Sequence, residues 1–398
     1  MEVAIEPVFE VPAEMASTDS IVDLSIDTLT TYFENTHPDS CLAHFIHQLS
    51  CTDDTLVRII FFGDSQLEGD FFTKTVRTTF QDKYGGCGIG YMPAEMYFNT
   101  TEQVAIISSD FEKQSVRSGV AKGDEFGLYG HYYTALNDHS VLRIKNRNTQ
   151  HRYQRLKIIY SGSSDLVVQD ENRAALTYSL ASTNVEEQQI EFEQTPPDLK
   201  LKFSENKQFK IYGILLDGAS GVVVDHVPFR GNLNLMLNIF GGVSVEEMSK
   251  IVHPSLIVLQ YGLNVIPDVR PTYKSYRIAL QRDIHLLKKF LPDVSILVLG
   301  APDMAHKVNG EMQAYANIDL IIEAQKAAAQ NEHVAFWNTR AAMGGTGSVI
   351  EWVNDDLART DYAHLNAKGS KKLATIFVND LMLFIEQNTI QDAGITEK

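Results

Sequence analysis

Cysteine, tryptophan and positive charge are all scarce in this chain. Its 398 residues include three cysteines and two tryptophans, and 34 Lys and Arg residues are outnumbered by 51 Asp and Glu residues. Three cysteines do not make a disulfide framework, and no Cys/His spacing fits a zinc site. The odd count leaves at least one thiol free, and whether Cys41 and Cys51 pair stays open.

The charge balance and the absence of a long apolar run exclude further classes of function. A formal net charge of −17 does not suit binding to nucleic acid or to an anionic membrane surface, because both need basic patches. No stretch is apolar enough over sufficient length to read as a signal peptide or a transmembrane helix. Residues 1–20 are acidic and contain proline, so we expect a disordered lead there.

Ser65 lies at the junction of a predicted strand and a predicted helix. Residues 57–62 are mostly β-branched or aromatic and predict a buried strand, which Gly63 and Asp64 end with a tight turn. Apolar residues then recur at helical spacing over 67–84. A serine at such a junction exposes its hydroxyl where the first helical N–H groups face a developing negative charge. The alternative is that Ser65 only caps the helix, since serine is a favoured N-cap residue.

A pair of polar residues precedes the last apolar helix, which is predicted over 367–388. Asp361 and His364 are three residues apart in the loop before it. At this spacing the carboxylate can accept the Nδ1–H of the imidazole, which leaves Nε2 free to take a proton from a serine hydroxyl. Polar residues at this spacing are also common where helices begin, so the pair alone does not establish catalysis.

Two other strand ends carry groups that can stabilise an oxyanion. The buried strand predicted over 255–260 is followed by Gly262 and Asn264, and an amide donor in such a position is worth about 3–4 kcal/mol in hydrolases. The strand within 221–232 runs into Gly231, whose backbone N–H can approach a substrate oxygen because no side chain stands in the way. A local turn hydrogen bond is the alternative role for Asn264.

Together these segments resemble the sequence blocks of the SGNH (GDSL) hydrolases, in the order in which that superfamily has them. The matching residues are Gly63-Asp64-Ser65, Gly231, Gly262-x-Asn264 and Asp361-x-x-His364. One departure is Gln66, which stands where the motif's name implies leucine. The four blocks are far more specific together than singly, and the resemblance identifies Ser65 as a catalytic nucleophile.

The pattern along the chain predicts two kinds of sheet. From Ser255 onward, short apolar strands alternate with amphipathic helices, which predicts a parallel sheet covered on both faces. Residues 99–210 contain short strand-like runs without a long helical period, which predicts an all-β sandwich. The chain is similar to bacterial carbohydrate and peptidoglycan O-acetylesterases of the superfamily, in which a β-sandwich interrupts the hydrolase domain.

This resemblance implies the α/β class: a flavodoxin-like three-layer SGNH hydrolase domain with a parallel sheet, interrupted by an inserted all-β domain that is sandwich-like or jelly-roll-like. The predicted boundaries are a disordered lead over 1–20, the first part of the hydrolase domain over 21–98, the insert over 99–210, the second part over 211–390, and a tail over 391–398.

The matched residues imply a mechanism that requires no metal and no organic cofactor. Ser65 is expected to attack an ester carbonyl, His364 to act as the base, and Asp361 to orient the imidazole. The oxyanion would be met by the backbone N–H groups of Ser65 and Gly231 and by the Asn264 side-chain amide.

Residues beside these positions are expected to contact the substrate. They are Gln66, Arg230, Asn232 and Tyr261. For Arg230 a second role stays open, in which it anchors a carboxylate of the loop. Tyrosines of the insert offer rings that could stack on sugar, although tyrosine is also common in sandwich cores; they are Tyr129, Tyr132, Tyr133, Tyr153, Tyr160 and Tyr178.

The expected function is a serine esterase that removes O-acetyl groups from a bacterial cell-surface polysaccharide or peptidoglycan through an acyl-serine intermediate. The alternatives are an O-acyltransferase that uses the same acyl-serine and a carbohydrate-binding protein with a degenerate site. The expected partner is an O-acetylated glycan, with no nucleic acid, metal or membrane contact. Relatives of this type are typically exported or tethered, which implies the periplasm or cell envelope with the export segment missing here; a complete chain would be cytoplasmic.

Overall fold

Two sheets of different kinds, one parallel and one antiparallel, make up the part of the protein that the structure describes. The computed structural model describes residues 31–34, 41–95, 101–116, 126–147, 152–170, 174–206, 208–235 and 242–395. The predicted lead over 1–20 lies outside these residues. The two sheets belong to one compact unit.

Strands and helices are numbered along the chain. The strands are β1 (Leu56–Gly63), β2 (Gly88–Met92), β3 (Val104–Ser109), β4 (Phe111–Ser115), β5 (His131–Ala135), β6 (Ser140–Asn146), β7 (Arg155–Asp170), β8 (Leu176–Glu191), β9 (Asp198–Phe203), β10 (Lys210–Asp217), β11 (Gly221–Pro228), β12 (Leu256–Gln260), β13 (Ser295–Leu299), β14 (Ala305–Val308), β15 (Glu311–Ala314) and β16 (Ala335–Trp337). The helices are α1 (Ala43–Leu49), α2 (Phe71–Tyr84), α3 (Gly242–Val252), α4 (Lys274–Phe290), α5 (Ile318–Asn331), α6 (Thr339–Met343), α7 (Ser348–Asn354) and α8 (Ala367–Ile395).

The parallel sheet has the strand order β11-β1-β12-β13-β16. In order of appearance along the chain this is 2-1-3-4-5, which is the flavodoxin-like order. Alternate residues of β1 face opposite sides: Ile60 and Phe62 pack with α4 and α5, and Ile59 and Phe61 pack with α2 and α8. Burial on both faces explains why these strands are continuously apolar. The predicted parallel sheet between two helical layers is confirmed.

The antiparallel sheet has the strand order β3-β6-β9-β7-β10-β5-β4, with β2 paired to β10 and β8 paired to β7. Strand β7 pairs with β10 along its first half and with β9 along its second half. Its pairing with β8 runs along both halves and has a register shift between Tyr160 and Gly162. The long β7–β8 ribbon therefore bends from one half of the sheet to the other, as corner strands do in packed sheets. Both halves enclose a common apolar core. The all-β region predicted within the α/β chain is thus one continuous bent sheet.

This antiparallel sheet begins and ends outside the insert predicted over 99–210. Strand β2, Gly88–Met92, precedes that range, and β10, Lys210–Asp217, continues past it. Strand β10 lies inside the sheet between β7 and β5, with β2 also paired to it. The domain boundaries themselves stay predictions, because sheet membership alone does not define a domain.

A buried ionic cluster joins the two sheets. The Arg58 guanidinium, on β1, donates to both carboxylate oxygens of Asp225 on β11 at 2.7 and 2.9 Å, and to Asp217 on β10. Asp225 also accepts the backbone N–H of Tyr91 on β2 at 3.2 Å. Burial lowers the pKa of Arg58, but the two carboxylates outweigh it and hold that pKa above its usual range. Charges buried this deeply require partners, and here the partners come from both sheets.

The tyrosines of the insert are mostly core residues. Five of the six named above, all except Tyr178, are at most 8 % exposed. The structure therefore supports the core alternative for these five rings over the sugar-stacking one. The three cysteines are free thiols, which answers the open question about Cys41 and Cys51. Among the described residues, no helix combines the length and apolarity needed to cross a membrane.

Candidate active site

Ser65 lies in a sharp turn directly after β1, at the carboxyl edge of the parallel sheet. Asp64 caps a 3₁₀ turn over Ser65–Leu67 by accepting the backbone N–H of Gln66 at 3.1 Å. A Cβ atom at Gly63 would lie 2.7 Å from the Leu67 side chain and 2.9 Å from the backbone oxygen of Gln260, so the turn requires glycine there. Ser65 does not cap the following helix, because the N-cap residue of α2 is Asp70.

The structure brings together the serine, histidine and aspartate that the sequence separates by about three hundred residues. The Ser65 hydroxyl lies 2.8 Å from Nε2 of His364, and Nδ1 of the same ring lies 2.8 Å from a carboxylate oxygen of Asp361. The other oxygen of Asp361 accepts the backbone N–H groups of Ala363 and His364, each at 3.0 Å. The carboxylate is therefore held in place, and it fixes the imidazole so that Nε2 faces the serine.

The electrostatics of the loop favour an ionised Asp361. Partial burial raises the pKa of this carboxyl group, but the backbone and side chain of His364 and the backbone of Ala363 donate to it and hold its pKa below the usual range. The two side chains remain accessible, with 46 % of Asp361 and 32 % of His364 exposed. A fixed negative charge beside the ring stabilises the imidazolium that forms when the histidine takes a proton.

The two loops predicted to supply an oxyanion hole are hydrogen-bonded to each other. Asn264, after β12, donates from Nδ2 to the backbone oxygen of Asn232, after β11, at 3.0 Å. An amide nitrogen carries two hydrogens, so this bond orients the group and leaves the second hydrogen for a ligand. Gly231 has φ of 74°, in the region that favours glycine, and the space beside its Cα is open. The oxyanion roles of Ser65, Gly231 and Asn264 stay predictions.

Arg230 pairs with the loop that follows the serine. Its guanidinium donates to both carboxylate oxygens of Glu68, at 2.8 and 2.6 Å. The hydrogen bonds to Glu68 hold the pKa of Arg230 above its usual value. Of the two roles left open for Arg230, the structure therefore shows the contact with a loop carboxylate. This pair ties the loop after β11 to the turn after β1.

Gln66 contacts the histidine loop on both sides of His364. Its side-chain amide donates from Nε2 to the backbone oxygen of Ala363 at 2.8 Å, and its Oε1 accepts the backbone N–H of Leu365 at 3.2 Å. The sequence predicts Gln66 as a substrate contact, but the structure places its amide between the serine turn and the histidine loop. Because Gln66 directly follows Ser65, this side chain ties together the backbones that carry the nucleophile and the base.

Two further residues near the site are buried. Tyr261 is 3 % exposed and packs in the core, and Asn232 is 8 % exposed and accepts from the Asn264 side chain through its backbone oxygen, so their contacts with a substrate stay predictions. Asp64 is also buried; burial raises the pKa of its carboxyl group to about 7, against the opposing effect of the backbone N–H groups of Gln66 and Leu263. Asp64 thus links the turn after β1 to the loop after β12.

An open cleft of about 280 Å³ has Asn264 in its wall. Its walls include Leu233, Asn234, Arg270 and the two tyrosines Tyr273 and Tyr276. Sequence reasoning missed these residues, because Asn234 resembles any polar loop residue and Tyr273 and Tyr276 fit the apolar pattern of α4. Their shared place beside Asn264 exists only in the folded chain.

Comparisons with known proteins bear on the fold. No protein-family model matches this sequence, and no curated protein matches it. A solved peptidoglycan O-acetylesterase is similar with a TM-score of 0.73 and 20 % identity, over 90 % of this chain and 99 % of the other. A family two carbohydrate esterase from Cellvibrio japonicus gives a TM-score of 0.30 at 11 % identity, over 71 % and 98 %. An acetylxylan esterase from Geobacillus stearothermophilus gives 0.31 at 19 %, over 40 % and 73 %.

The first of these likenesses covers both the parallel and the antiparallel sheet. This chain therefore has the fold of that O-acetylesterase.

Proposed function

We propose that this protein is a serine esterase that removes O-acetyl groups from a bacterial cell-surface polysaccharide or peptidoglycan. The observation that carries the proposal is the unbroken series of contacts from the Ser65 hydroxyl through His364 to Asp361, with 2.8 Å at each step. This series lies at the carboxyl edge of a parallel sheet, where ligands of open α/β folds bind.

The proposed reaction follows from the positions of these groups. Ser65 attacks the acetyl carbonyl carbon while His364 takes the hydroxyl proton, and the resulting oxyanion is met by the Ser65 and Gly231 N–H groups and by Asn264. The bond between the carbonyl carbon and the sugar oxygen then breaks, and His364 returns its proton to that oxygen. His364 next takes a proton from water, which attacks the acyl-serine, releases acetate and restores the Ser65 hydroxyl.

The glycan substrate is supported by the fold and by the cleft. A solved structure that shares this fold over 99 % of its length is a peptidoglycan O-acetylesterase. The cleft beside Asn264 is lined by tyrosines and by polar side chains, a mixture suited to the apolar faces and hydroxyl groups of a sugar. Such a glycan lies outside the cytoplasm, so this function implies that the protein works in the periplasm or cell envelope.

The test compares acetate release from O-acetylated peptidoglycan and from acetylated xylan, with the wild type and Ser65→Ala. We expect the substitution to lower kcat by about 10⁴–10⁶-fold with an unchanged unfolding midpoint, because Ser65 lies in an accessible turn and outside the core. Ser179→Ala, at an exposed serine of β8, is the matched control and should change neither.

Three outcomes would contradict this proposal. A Ser65→Ala variant that keeps more than a few per cent of activity would exclude the nucleophile. Acetyl groups that move to an added sugar acceptor without free acetate would establish an O-acyltransferase that uses the same acyl-serine. Glycan binding without any acyl chemistry in the wild type would establish a carbohydrate-binding protein.

A further inference from the structure

The wall of the cleft beside Asn264 contains a second side-chain amide, that of Asn234. Asn234 lines this cleft and is 6 % exposed. Within the part of the chain that the structure describes, its side chain makes no hydrogen bond. Gln325 offers a contrast, since it is fully buried nearby and uses both ends of its amide, donating to the Tyr261 backbone and accepting from the Ala301 backbone.

The Asn234 amide reaches solvent in the open cleft. None of its atoms is among the fully buried polar groups that lack a partner, so water can satisfy it in the free protein. A ligand that displaces this water must supply both a donor and an acceptor, because the amide carries both. The Asn234 side chain therefore offers a ligand in this cleft a donor and an acceptor that no group of the described residues occupies.

Tyr273, a buried residue of the cleft wall, is already saturated with hydrogen bonds, and the hydroxyl of the neighbouring Tyr276 accepts from the Gln325 side chain at 3.1 Å. The Tyr273 hydroxyl donates to the backbone oxygen of Asp268 and accepts from the backbone N–H of Arg270 and from the Asn317 side chain. A phenol has one hydrogen and two lone pairs, so Tyr273 has no hydrogen-bonding capacity left for a ligand. Its ring acts as an apolar wall, and Asn234 supplies the hydrogen bonds.

We propose that Asn234 is a specificity-determining residue that binds the sugar next to the scissile ester. Its amide presents an acceptor and a donor side by side, and the complementary group on a sugar also carries a donor and an acceptor side by side. An acetamido group and a pair of neighbouring hydroxyls share this chemistry. The inference rests on the proposed function, because the cleft adjoins Asn264 of the predicted oxyanion hole.

The experiment compares substrates with and without a sugar. The substrates are 4-nitrophenyl acetate, the methyl glycoside of 6-O-acetyl-N-acetylglucosamine and the methyl glycoside of 6-O-acetylglucose. We expect Asn234→Leu to lower kcat/KM on at least one sugar ester by about 5–150-fold, the equivalent of 1–3 kcal/mol. Activity on the aryl acetate should stay within about twofold of wild type, since that ester has no group for Asn234 to bind.

The stability of the same variant separates a binding role from a structural one. Replacing an unpaired amide by an apolar group of similar size should leave the unfolding midpoint unchanged or raise it. Asn354→Leu, at an exposed asparagine of α7, is the matched control and should leave all three substrates unaffected. Loss on the acetamido ester alone identifies the acetamido group as the ligand, and equal loss on both sugar esters identifies the hydroxyl pair.

Other results would overturn the inference. An equal loss on all three esters, or a lower unfolding midpoint, would make Asn234 a structural residue, and no change on either sugar ester would remove it from the binding site. Titration calorimetry with the two deacetylated methyl glycosides tests recognition without turnover, and Asn234→Leu should weaken binding to the recognised sugar. A wild type that hydrolyses nothing yet binds sugar through Asn234 would overturn the proposed function alone.

Discussion

The two ends of strand β1 both carry charged side chains, but they differ in burial and in what the charges do. Beyond its carboxyl end, Ser65 meets His364 and Asp361, whose side chains are 32 % and 46 % exposed. Near its amino end, the side chains of Arg58 and Asp225 are 3 % and 0 % exposed. The half-exposed His364–Asp361 pair can exchange protons with a substrate. The buried Arg58–Asp225 pair has no access to a substrate and serves to join the strands.

This difference predicts that the two ends of β1 contribute to different properties, one to turnover and the other to stability. The carboxyl edge is made of loops, so its charges are reached by solvent and can change protonation at low cost. The buried cluster joins β1 and β11 of the parallel sheet to β10 of the antiparallel sheet, so removing one charge leaves the others uncompensated. Substitutions at the carboxyl edge should therefore affect turnover, and substitutions at the amino end should affect stability.

After Ser65→Ala, the largest effect on turnover is expected at the carboxylate of Asp361. Asp361→Asn should lower kcat by about 10⁴-fold, or about 5 kcal/mol in the barrier, because the imidazole loses the tautomer that leaves Nε2 as a base. The free energy of unfolding should change by less than about 1 kcal/mol, since the group is half exposed. Steady-state kinetics and denaturant unfolding measure the two effects, with the exposed Asp293→Asn as the control. A loss of less than tenfold would mean that other contacts orient the ring.

At the buried cluster we expect a loss of stability with little change in turnover. Arg58→Met should lower the free energy of unfolding by about 3–5 kcal/mol, because Asp217 and Asp225 stay buried without a cation. Turnover per folded molecule should stay within a few-fold of wild type. Adding Asp217→Asn and Asp225→Asn to Arg58→Met should recover part of the loss in urea unfolding. An Arg58→Met variant that is as stable as wild type but has impaired turnover would contradict the proposal that the amino end of β1 affects stability and the carboxyl edge affects turnover.

The predicted oxyanion donor should give the next effect on turnover. Asn264→Ala should lower kcat by about 100–1,000-fold with little change in KM, because its amide meets a charge that exists only in the transition state. The measurement is steady-state kinetics on a short-chain acetate ester. A raised KM with normal kcat would assign Asn264 to ground-state binding and weaken the proposed oxyanion hole.

The smallest effect is expected for the amide between the serine turn and the histidine loop. Gln66→Leu removes two hydrogen bonds, each worth about 0.5–1.5 kcal/mol, and should lower kcat by about 5–150-fold with KM unchanged. Gln66→Glu keeps the acceptor for the Leu365 N–H but loses the donor to Ala363, so its kcat should fall by less. If KM rises and kcat holds, Gln66 contacts the substrate, as the sequence predicts.

Local patterns were sufficient to predict the strand, the turn and the polar pair from which the candidate site is built. The apolar run that ends in Gly63 predicts a strand, and the polar residues beside it predict a turn, because both depend on neighbours a few residues away. Asp361 and His364 are only three residues apart, so their mutual contact is also local. That these two segments meet each other depended on the superfamily resemblance, since nothing in either segment identifies its partner.

The contacts that the sequence did not predict are those between distant segments. Gln66 was expected to contact substrate because it directly follows Ser65, yet the partners of its amide are the backbone groups of Ala363 and Leu365. Strands β2 and β10 join the antiparallel sheet from outside the predicted insert, because strand pairing depends on edges that only the folded chain presents.

Hydrophobic periodicity and short-range spacing thus determined which segments are strands, where the polar turns fall and that the Asp361 carboxylate can reach the His364 ring. Tertiary structure decided which carboxylates neutralise Arg58, which backbone groups Gln66 binds and which amide beside Asn264 stays unpaired. The physical reason is that periodicity is a property of a few consecutive residues, whereas pairing and burial depend on residues that only the folded backbone brings within hydrogen-bonding distance.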